Sequence, residues 1–374
     1  VFHFLHTADW QIGRQYGQFD AEDAAFLGQA RLDTVANIAR LATESGVDAV
    51  LVAGDVFDTQ GVSDRSIRRL FANLAGFAGD WVLIAGNHDA ALADSVWTRA
   101  RELGCIGANV HIPSATGIVA LKGADILAAP LTQRHTYGDV TEAFDALEGA
   151  DGGIRVGLAH GSVTGRLPDG VDSANPIAPD RSARARLDYL ALGDWHGCLA
   201  INERTWYAGT PETDRFRGND PGHVLDVRIA AAGAPAEVRR VAIGRYRWIS
   251  LVRTLIVPAD IDALDHELDA LGENDVIALE LSGALAVASW ERLKDVTARA
   301  EARVRALRLN TDGIRLEPDE HDLAELGVDG YVGAVAAQLK DMQQDPAQAD
   351  GARDALRLLV QFQRENRSAP GAQP

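Results

Sequence analysis

The sequence predicts an α/β protein with two domains followed by a C-terminal helical segment. Three observations predict it. Short apolar runs alternate with helical stretches through the first 200 residues, the pattern of strands joined by helical crossovers. Polar motifs stand just after these runs, where α/β sheets hold their ligands. After about residue 247 the rhythm changes to a separate β-α-β-α-β layout. A length of 374 residues agrees with two domains and a small third piece.

The elements follow in order. VFHFLHTA is a strand that ends in a polar loop. Residues 21–45 read as a helix. Ala49–Ala53 is a short apolar run before Gly54 and Asp55. Residues 63–77 look helical, and Trp81–Ala85 is another run before Gly86 and Asn87. Residues 154–159 and 187–192 repeat the pattern before His160 and Gly193. Such runs read as a sheet buried on both faces. Residues 198–243 carry alternating runs with turns, such as Thr205–Tyr207 and His223–Val227, and read as antiparallel strands that close the domain. This first domain is placed at 1–247.

A small α/β capping domain is placed at 248–320. Its elements are a strand at Leu251–Val257, a helix at Asp260–Leu271, a strand at Val276–Leu281, a long helix at Ala288–Leu307 and a strand at Gly313–Glu317. Helices at about 329–342 and 352–364 make up a C-terminal segment, 321–374, whose tail SAPGAQP is expected to fray. No repeat of about 20–50 residues is evident.

Composition narrows the function. Hydrophobic residues make up 47% and charged residues 24% of the chain, which excludes a disordered or fibrous protein. No run approaches the roughly 18 apolar residues of a membrane span. The start lacks the basic and apolar regions of a signal peptide. The only Met is Met342, so the true N-terminus is expected to be processed or trimmed. Cys105 and Cys198 make no disulfide framework and no CxxC pair, which fits a reducing cytoplasm. The net charge of −18 repels a phosphate backbone and excludes a general nucleic-acid coat protein. It does not exclude a nuclease, because divalent cations or a basic partner can supply positive field.

Six motifs carry the chemistry: Asp9-Trp10-Gln11, Gly54-Asp55-Val56-Phe57-Asp58, Gly86-Asn87-His88-Asp89, Ala159-His160-Gly161, Gly193-Asp194-Trp195-His196 and Tyr207-Ala208-Gly209-Thr210-Pro211. The first five are rich in oxygen and nitrogen ligands. Carboxylate, amide and imidazole together suit manganese, zinc or iron. A carboxylate shared between two ions holds them about 3.5–4 Å apart, and Asp55 is the natural bridge. Taken singly, each motif could be a turn or a helix cap; five in order argue against a purely structural origin.

The order D-x-Q, GDxxD, GNHD, H, GDxH resembles the D-x-H, GDxxD, GNHD, H, GHxH series of calcineurin-like metallophosphoesterases. FLHTADW, VAGDVFD, AGNHD and the later WYAGTPETDRF are similar to the DNA double-strand-break repair exonuclease branch of that family, the SbcD-like nuclease subunits. The resemblance covers about residues 1–220 and rests on layout alone beyond 250. It implies a metallophosphoesterase β-sandwich flanked by helices. It implies one metal held by Asp9, Gln11, Asp55 and His196, and another by Asp55, Asn87, His160 and Asp194. It implies that His88 touches the scissile phosphate and protonates the leaving oxygen, with Asp58 and Asp89 orienting ligands. Two positions depart from the pattern. Gln11 and Asp194 each stand where the family has His. Asp194 adds an anionic oxygen and favours manganese, and Gln11 offers only a neutral carbonyl. Both keep a ligand-capable side chain, which reads as a retuned site.

The remaining candidates have structural explanations as their default. His6 reads as packing or support. His3, His111, His135, His223, His266 and His321 stand in no motif. Trp10 and Trp195 could wall the site or stack a base, with packing as the default. Arg181, Arg184 and Arg186 read as a solvated face, with phosphate contact as the alternative.

The function this implies is phosphodiester hydrolysis on DNA through two divalent ions, by the nuclease subunit of a repair complex with an SMC-like, SbcC-like ATPase. Homodimerisation is left open, and no membrane partner is expected. Tyr331, Val335 and Leu339, and Leu356, Leu359 and Phe362, have the spacing of helical stripes that could dock the ATPase or pack on the chain's own core. Two alternatives stand beside this function. One is a phosphodiesterase or phosphatase on small nucleotides or phosphoproteins. The other is a catalytically weakened scaffold subunit.

Overall fold

The computed structural model describes residues 1–167, 174–216, 218–316 and 331–368, the side chains of 361 and 363–368 excepted. It divides into two compact units, Val1–Tyr246 and Arg247–Pro374.

In the first unit two six-stranded sheets face each other. The first is built on β1 (Phe2–Thr7), β2 (Ala49–Val52), β3 (Asp80–Leu83) and β4 (Val110–His111), all parallel. β13 (His223–Ile229) adds antiparallel to β1, and β14 (Ala236–Ala242) adds antiparallel to β13. The second sheet has the order β11 (Leu199–Asn202), β12 (Thr205–Tyr207), β10 (Tyr189–Gly193), β7 (Ile154–His160), β6 (Ala124–Ala129), β5 (Gly117–Leu121). A short pair, β8 (Ser162–Val163) with β9 (Pro176–Ile177), follows β7.

Alternating residues explain the layers. Phe2, Phe4, Leu51, Val82 and Ile84 of the first sheet meet Ile126, Val156, Leu158 and Tyr189 of the second in one buried cluster. The opposite face of the first sheet, with Leu5, Val50, Val52 and Trp81, packs on three helices. These are α1 (Ala21–Ser45), α2 (Asp64–Leu74) and α3 (Val96–Glu102). α1 starts where the Asp20 side chain accepts from the Asp23 amide and ends at Gly46 in a left-handed conformation. The outer face of the second sheet packs on a 3₁₀ helix, Val140–Ala146, and on α4 (Arg181–Arg184). The result is a β-sandwich flanked by helices.

Two sequence readings need correction here, and one element was missed. The parallel strands are divided between two sheets that share one apolar interior, rather than forming a single sheet covered by helices. Residues 198–243 do not make one antiparallel set: β12 runs parallel to β10, and β13 and β14 belong to the other sheet. The hairpin of β5 and β6, unread in the sequence, fills the interval between β4 and β7.

In the second unit β15 (Arg247–Leu255), β16 (Asp275–Leu285) and β17 (Ala306–Leu316) form a parallel sheet in sequence order. It packs on α5 (Pro258–Asp269) and α6 (Val287–Glu301). The helix expected over 288–307 ends at Glu301, and its last residues belong to β17. Two further helices, α7 (Tyr331–Met342) and α8 (Ala349–Ser368), place Ala336, Leu356 and Val360 in the same apolar core. The apolar stripes therefore divide. Leu356 is buried, whereas Tyr331 and Phe362 are exposed, at 85% and 60%. Glu317, His321, residues 329–330 and the tail after Ser368 lie outside the described residues. No described helix is long and apolar enough to cross a membrane.

Candidate metal centre

The carboxyl ends of β1, β2, β7 and β10, and the Gly86–Asp89 loop after β3, bring the motifs together. Four site residues, Asp9, Gln11, Asp55 and Asp194, have φ of 53°, 43°, 51° and 103°. Left-handed backbone in a side-chain-bearing residue costs roughly 1–3 kcal/mol and collects at functional sites. Backbone bonds fix these turns. The Asp9 amide donates to the Gly54 carbonyl at 3.1 Å and the Gln11 amide to the Asp55 carbonyl at 2.8 Å. Gly54, at φ 88°, lies under the His160 ring, and a Cβ there would collide with it.

His160 is the centre of the arrangement and is fully buried. Its Nδ1 faces the Ala53 carbonyl at 2.8 Å. Its Nε2 faces Asn87 Oδ1 at 2.8 Å, Asp55 Oδ1 at 3.6 Å and Asp194 Oδ1 at 3.7 Å. The Ser162 hydroxyl donates to the other Asp194 oxygen at 2.7 Å and so turns the first toward His160. Ligand atoms of Asp9, Asp55 and His160, all buried, lie within 4.8 Å of one another. Burial opposes a charge on His160, but Asp55, Asp9 and Asp194 outweigh it and raise its pKa to about 9. Burial also pushes Asp9 up to about 6; His196 and His160 oppose this, and Asp55 and Asp194 add to it. Three carboxylates face a single imidazole, so even the protonated ring leaves an excess of negative charge that a divalent ion would balance. The side chains present thus fit a divalent cation.

His88 is partly exposed beside this cluster. Its Nδ1 faces the Asp58 carbonyl at 2.8 Å, and its Nε2 is 3.9 Å from Asp55 Oδ2. Asp89 is buried and accepts from the Phe57 and Gly86 amides at 3.0 and 2.7 Å. It ties the Asp55 loop to the Asn87 loop. Burial first, then Asp55, raises its pKa to about 7.

The Gln11 side of the centre is built differently. Gln11 Oε1 accepts from Arg14 at 2.6 Å, and Gln11 Nε2 lies 3.3 Å from His196 Nε2. Asp214 accepts from His196 Nδ1 at 3.1 Å and from Arg215 at 2.9 Å. Arg14 and Arg31 lie 3.4 and 3.6 Å from the same carboxylate. Arg31, buried on α1, also donates to the Trp10 carbonyl at 2.7 Å and so anchors the loop after β1. A cavity of about 200 Å³ opens here, with Gln11, Arg14, Asp55, Asn87, His88 and Arg215 on its walls.

A model of the calcineurin-like phosphoesterase family matches residues 2–177. Residues 2–177 are thus similar to the calcineurin-like phosphoesterase domain. Stretches of the chain are similar to bacterial proteins named as the SbcD component of the SbcCD nuclease. The one from Rhodobacter capsulatus is 42% identical over 94 residues, 23% of this chain and 21% of that protein. The one from Bacillus subtilis is 24% identical over 269 residues, 61% of this chain and 66% of that protein. The one from Escherichia coli K12 is 37% identical over 91 residues, 23% of this chain and 21% of that protein. The chain thus spans about a fifth of two of these relatives and just under two thirds of the third.

The first unit brings together the candidates named from the sequence: Asp9, Gln11, Asp55, Asp58, Asn87, His88, Asp89, His160, Asp194 and His196. Other candidates have structural roles. His6 is buried between the Tyr189 hydroxyl at 3.0 Å and the Leu192 carbonyl at 3.2 Å, and burial lowers its pKa to about 3. Trp10 is buried, donates to Thr7 and packs edge-on against Trp81. Trp195 lies on the cavity wall. Arg181 is buried and donates to Asp145 at 2.7 Å, so it is not a solvated cation. His3 and His111 pair with Asp226 and Asp80.

Sequence reasoning missed Arg14, Arg31, Ser162, Asp214 and Arg215. Asp214 and Arg215 lie in the quoted WYAGTPETDRF stretch, which was the available signal. Arg31 carried none, since a single Arg within an amphipathic helix reads as solvated.

Proposed function

We propose that the chain is a divalent-metal phosphodiesterase acting on DNA, the nuclease subunit of a complex with an SMC-like ATPase. The observation that carries this reading is the convergence of Asn87, Asp55 and Asp194 on His160 Nε2, with His88 alongside. The names of the relatives support DNA as substrate and an SbcC-like partner. Asp55, Asn87, His160 and Asp194 would hold a divalent ion, and the anionic Asp194 oxygen favours manganese. A bound ion would supply Lewis-acid polarisation of the phosphoryl group and a more acidic attacking water.

The chain's own groups do the rest. His88 is aimed by the Asp58 carbonyl on Nδ1, which turns Nε2 toward the cavity. With Nδ1–H bonded to that carbonyl, it is the imidazolium form of His88 that would give its Nε2 proton to the departing oxygen and be left as the neutral ring. Asp89 holds the two loops that carry Asp55 and His88 in register. Arg14 and Arg215 face the cavity and attract the non-bridging phosphate oxygens.

In this reading residues 1–247 carry the chemistry in the cytoplasm, residues 248–320 form a separate small α/β domain, and residues 321–374 dock the ATPase through exposed Tyr331 and Phe362. Homodimerisation is compatible with the same arrangement. The net charge of −18 favours a second reading, hydrolysis of small phosphodiesters that need no basic groove. Digestion of labelled duplex and single-stranded DNA with manganese, beside a generic aryl phosphodiester, tests both. DNA cleavage supports the first. Turnover of the small ester alone supports the second, and turnover of neither refutes both.

A further inference from the structure

How many ions the centre holds is a question that rests on the metal-dependent reading above. The half around His160 is laid out for an ion: three side chains converge on Nε2 with oxygen atoms at 2.8, 3.6 and 3.7 Å. In the half around His196 the side-chain amide that faces the imidazole Nε2 presents its nitrogen, at 3.3 Å, where Asn87 presents an oxygen to His160.

Gln11 decides the matter. A guanidinium has only donors, so the Gln11 end at 2.6 Å from Arg14 is its carbonyl oxygen. The other end, 3.3 Å from His196 Nε2, is therefore the amide nitrogen. An N–H aimed at Nε2 takes the lone pair that an ion would need. His196 Nδ1 donates to Asp214 at 3.1 Å, the tautomer that leaves the Nε2 lone pair facing Gln11, and Arg215 donates to the same Asp214 oxygen at 2.9 Å, so the ring is fixed in this orientation. Arg14 is fixed as well, 3.6 Å from Asp58 and 3.4 Å from Asp214. An ion in this half would lie beside two guanidinium groups, with a neutral amide where the family pattern has an imidazole. The residue pair is chemically consistent: a His at position 11 would offer Arg14 no carbonyl oxygen.

We propose that the centre binds a single divalent ion, on the side of Asp55, Asn87, His160 and Asp194. On the other side the Arg14 guanidinium, held by Gln11, Asp58 and Asp214, supplies a fixed positive charge in place of a second ion. Arg14 lies on the cavity wall with His88 and Asp55, so this charge faces the same space as the ion.

The test uses the full-length protein and Mn²⁺ alone. Equilibrium dialysis with elemental analysis gives the stoichiometry, and electron paramagnetic resonance gives the spacing of the ions. One ion per chain with an uncoupled Mn²⁺ spectrum is expected. Two ions with a spin-coupled spectrum overturn the inference and leave the phosphodiesterase reading standing. No bound ion overturns both. His196→Ala and Gln11→Ala should each keep the ion, whereas His160→Ala and Asn87→Ala should each lose it. Circular dichroism identifies the folded variants, and either member of a pair suffices. Loss of the ion in folded His196→Ala or Gln11→Ala overturns the assignment. The double substitution Gln11→His with Arg14→Ala should raise the count to two, and a count that stays at one removes Arg14 from the explanation.

Discussion

Binding of a divalent ion should expel a proton from His160, and the amount follows from its surroundings. In the metal-free protein the three carboxylates hold its pKa at about 9 despite full burial. At about pH 7.5 the ring is therefore almost wholly protonated, and a ligand imidazole must be neutral. Mn²⁺ binding at that pH should release about one proton per ion. Asp89, raised to about 7, and Asp9, raised to about 6, join as pH falls, so release should grow to about two near pH 6. The assay is calorimetric titration in buffers of different ionisation enthalpy. The slope of observed enthalpy against buffer enthalpy counts protons. The same shift sets the stability of the metal-free protein. The folded pKa of His160 lies above its unfolded value of 6.5, so its contribution is complete below about pH 6.5 and disappears as pH rises through about 9. The difference of pKa values corresponds to about 3 kcal/mol. Denaturant melts should weaken over that range without metal and flatten when Mn²⁺ is present. A calorimetric slope near zero at about pH 7.5 would refute the reasoning, because His160 would then already be neutral.

Four further outcomes are expected. His88→Ala should lower phosphodiester turnover by about 10²–10⁴-fold with Mn²⁺ content unchanged; lost Mn²⁺ in elemental analysis would make His88 a ligand instead. Gly54→Ala forces a Cβ into the His160 ring at a left-handed φ of 88°, and should abolish Mn²⁺ retention in dialysis while lowering the melting temperature. Glu212→Ala removes a buried carboxylate that accepts from Thr34 at 2.7 Å and from the Arg245 and Tyr246 amides at 2.8 and 2.9 Å. At about 1 kcal/mol or more per abandoned donor, urea denaturation should show a loss of about 3 kcal/mol. Tyr331→Ser with Phe362→Ser should leave the melting temperature unchanged and weaken co-purification of the proposed SMC-like ATPase. Deleting both helices is a poorer test, because it strips Ala336, Leu356 and Val360 from the core.

β2, β3 and β10 were legible because each combines two local signals, an apolar run and a glycine-polar stop, whereas β1 and β7 reach Asp9 and His160 without the glycine. Ala49–Val52 before Gly54-Asp55 and Tyr189–Gly193 before Asp194 are examples. The ten candidate site residues were legible from the order of the polar motifs and from its resemblance to a known family. What escaped the sequence is long-range. Asp214 matters because His196, Arg14, Arg31 and Arg215 meet on it, and no local pattern records such a meeting. The parallel pairing of β10 with β12 depends on which sheet a strand joins, which period-two alternation does not encode. The error at 302–307 has a local cause. Arg303, Arg305 and Leu307 alternate with Val304 and Ala306, a strand pattern hidden in a charged stretch that follows a helix. The stripes of α7 and α8 were ambiguous because helical spacing marks a face and not what covers it.

The position of β1 bears on how the protein is made. It precedes every other described strand in the chain, yet it lies inside its sheet, with β2 on one edge and β13, residues His223–Ile229, on the other. A nascent chain that has reached only residue 177, the end of the family match, has a bare β1 edge and lacks Asp194, His196 and Asp214. Such an intermediate can neither complete the cation site nor cover its unpaired backbone, the state in which chains associate with one another. Ion uptake should therefore come late in translation, after residue 229 has left the ribosome. A premature stop before that point should leave an aggregation-prone fragment rather than a weakened enzyme.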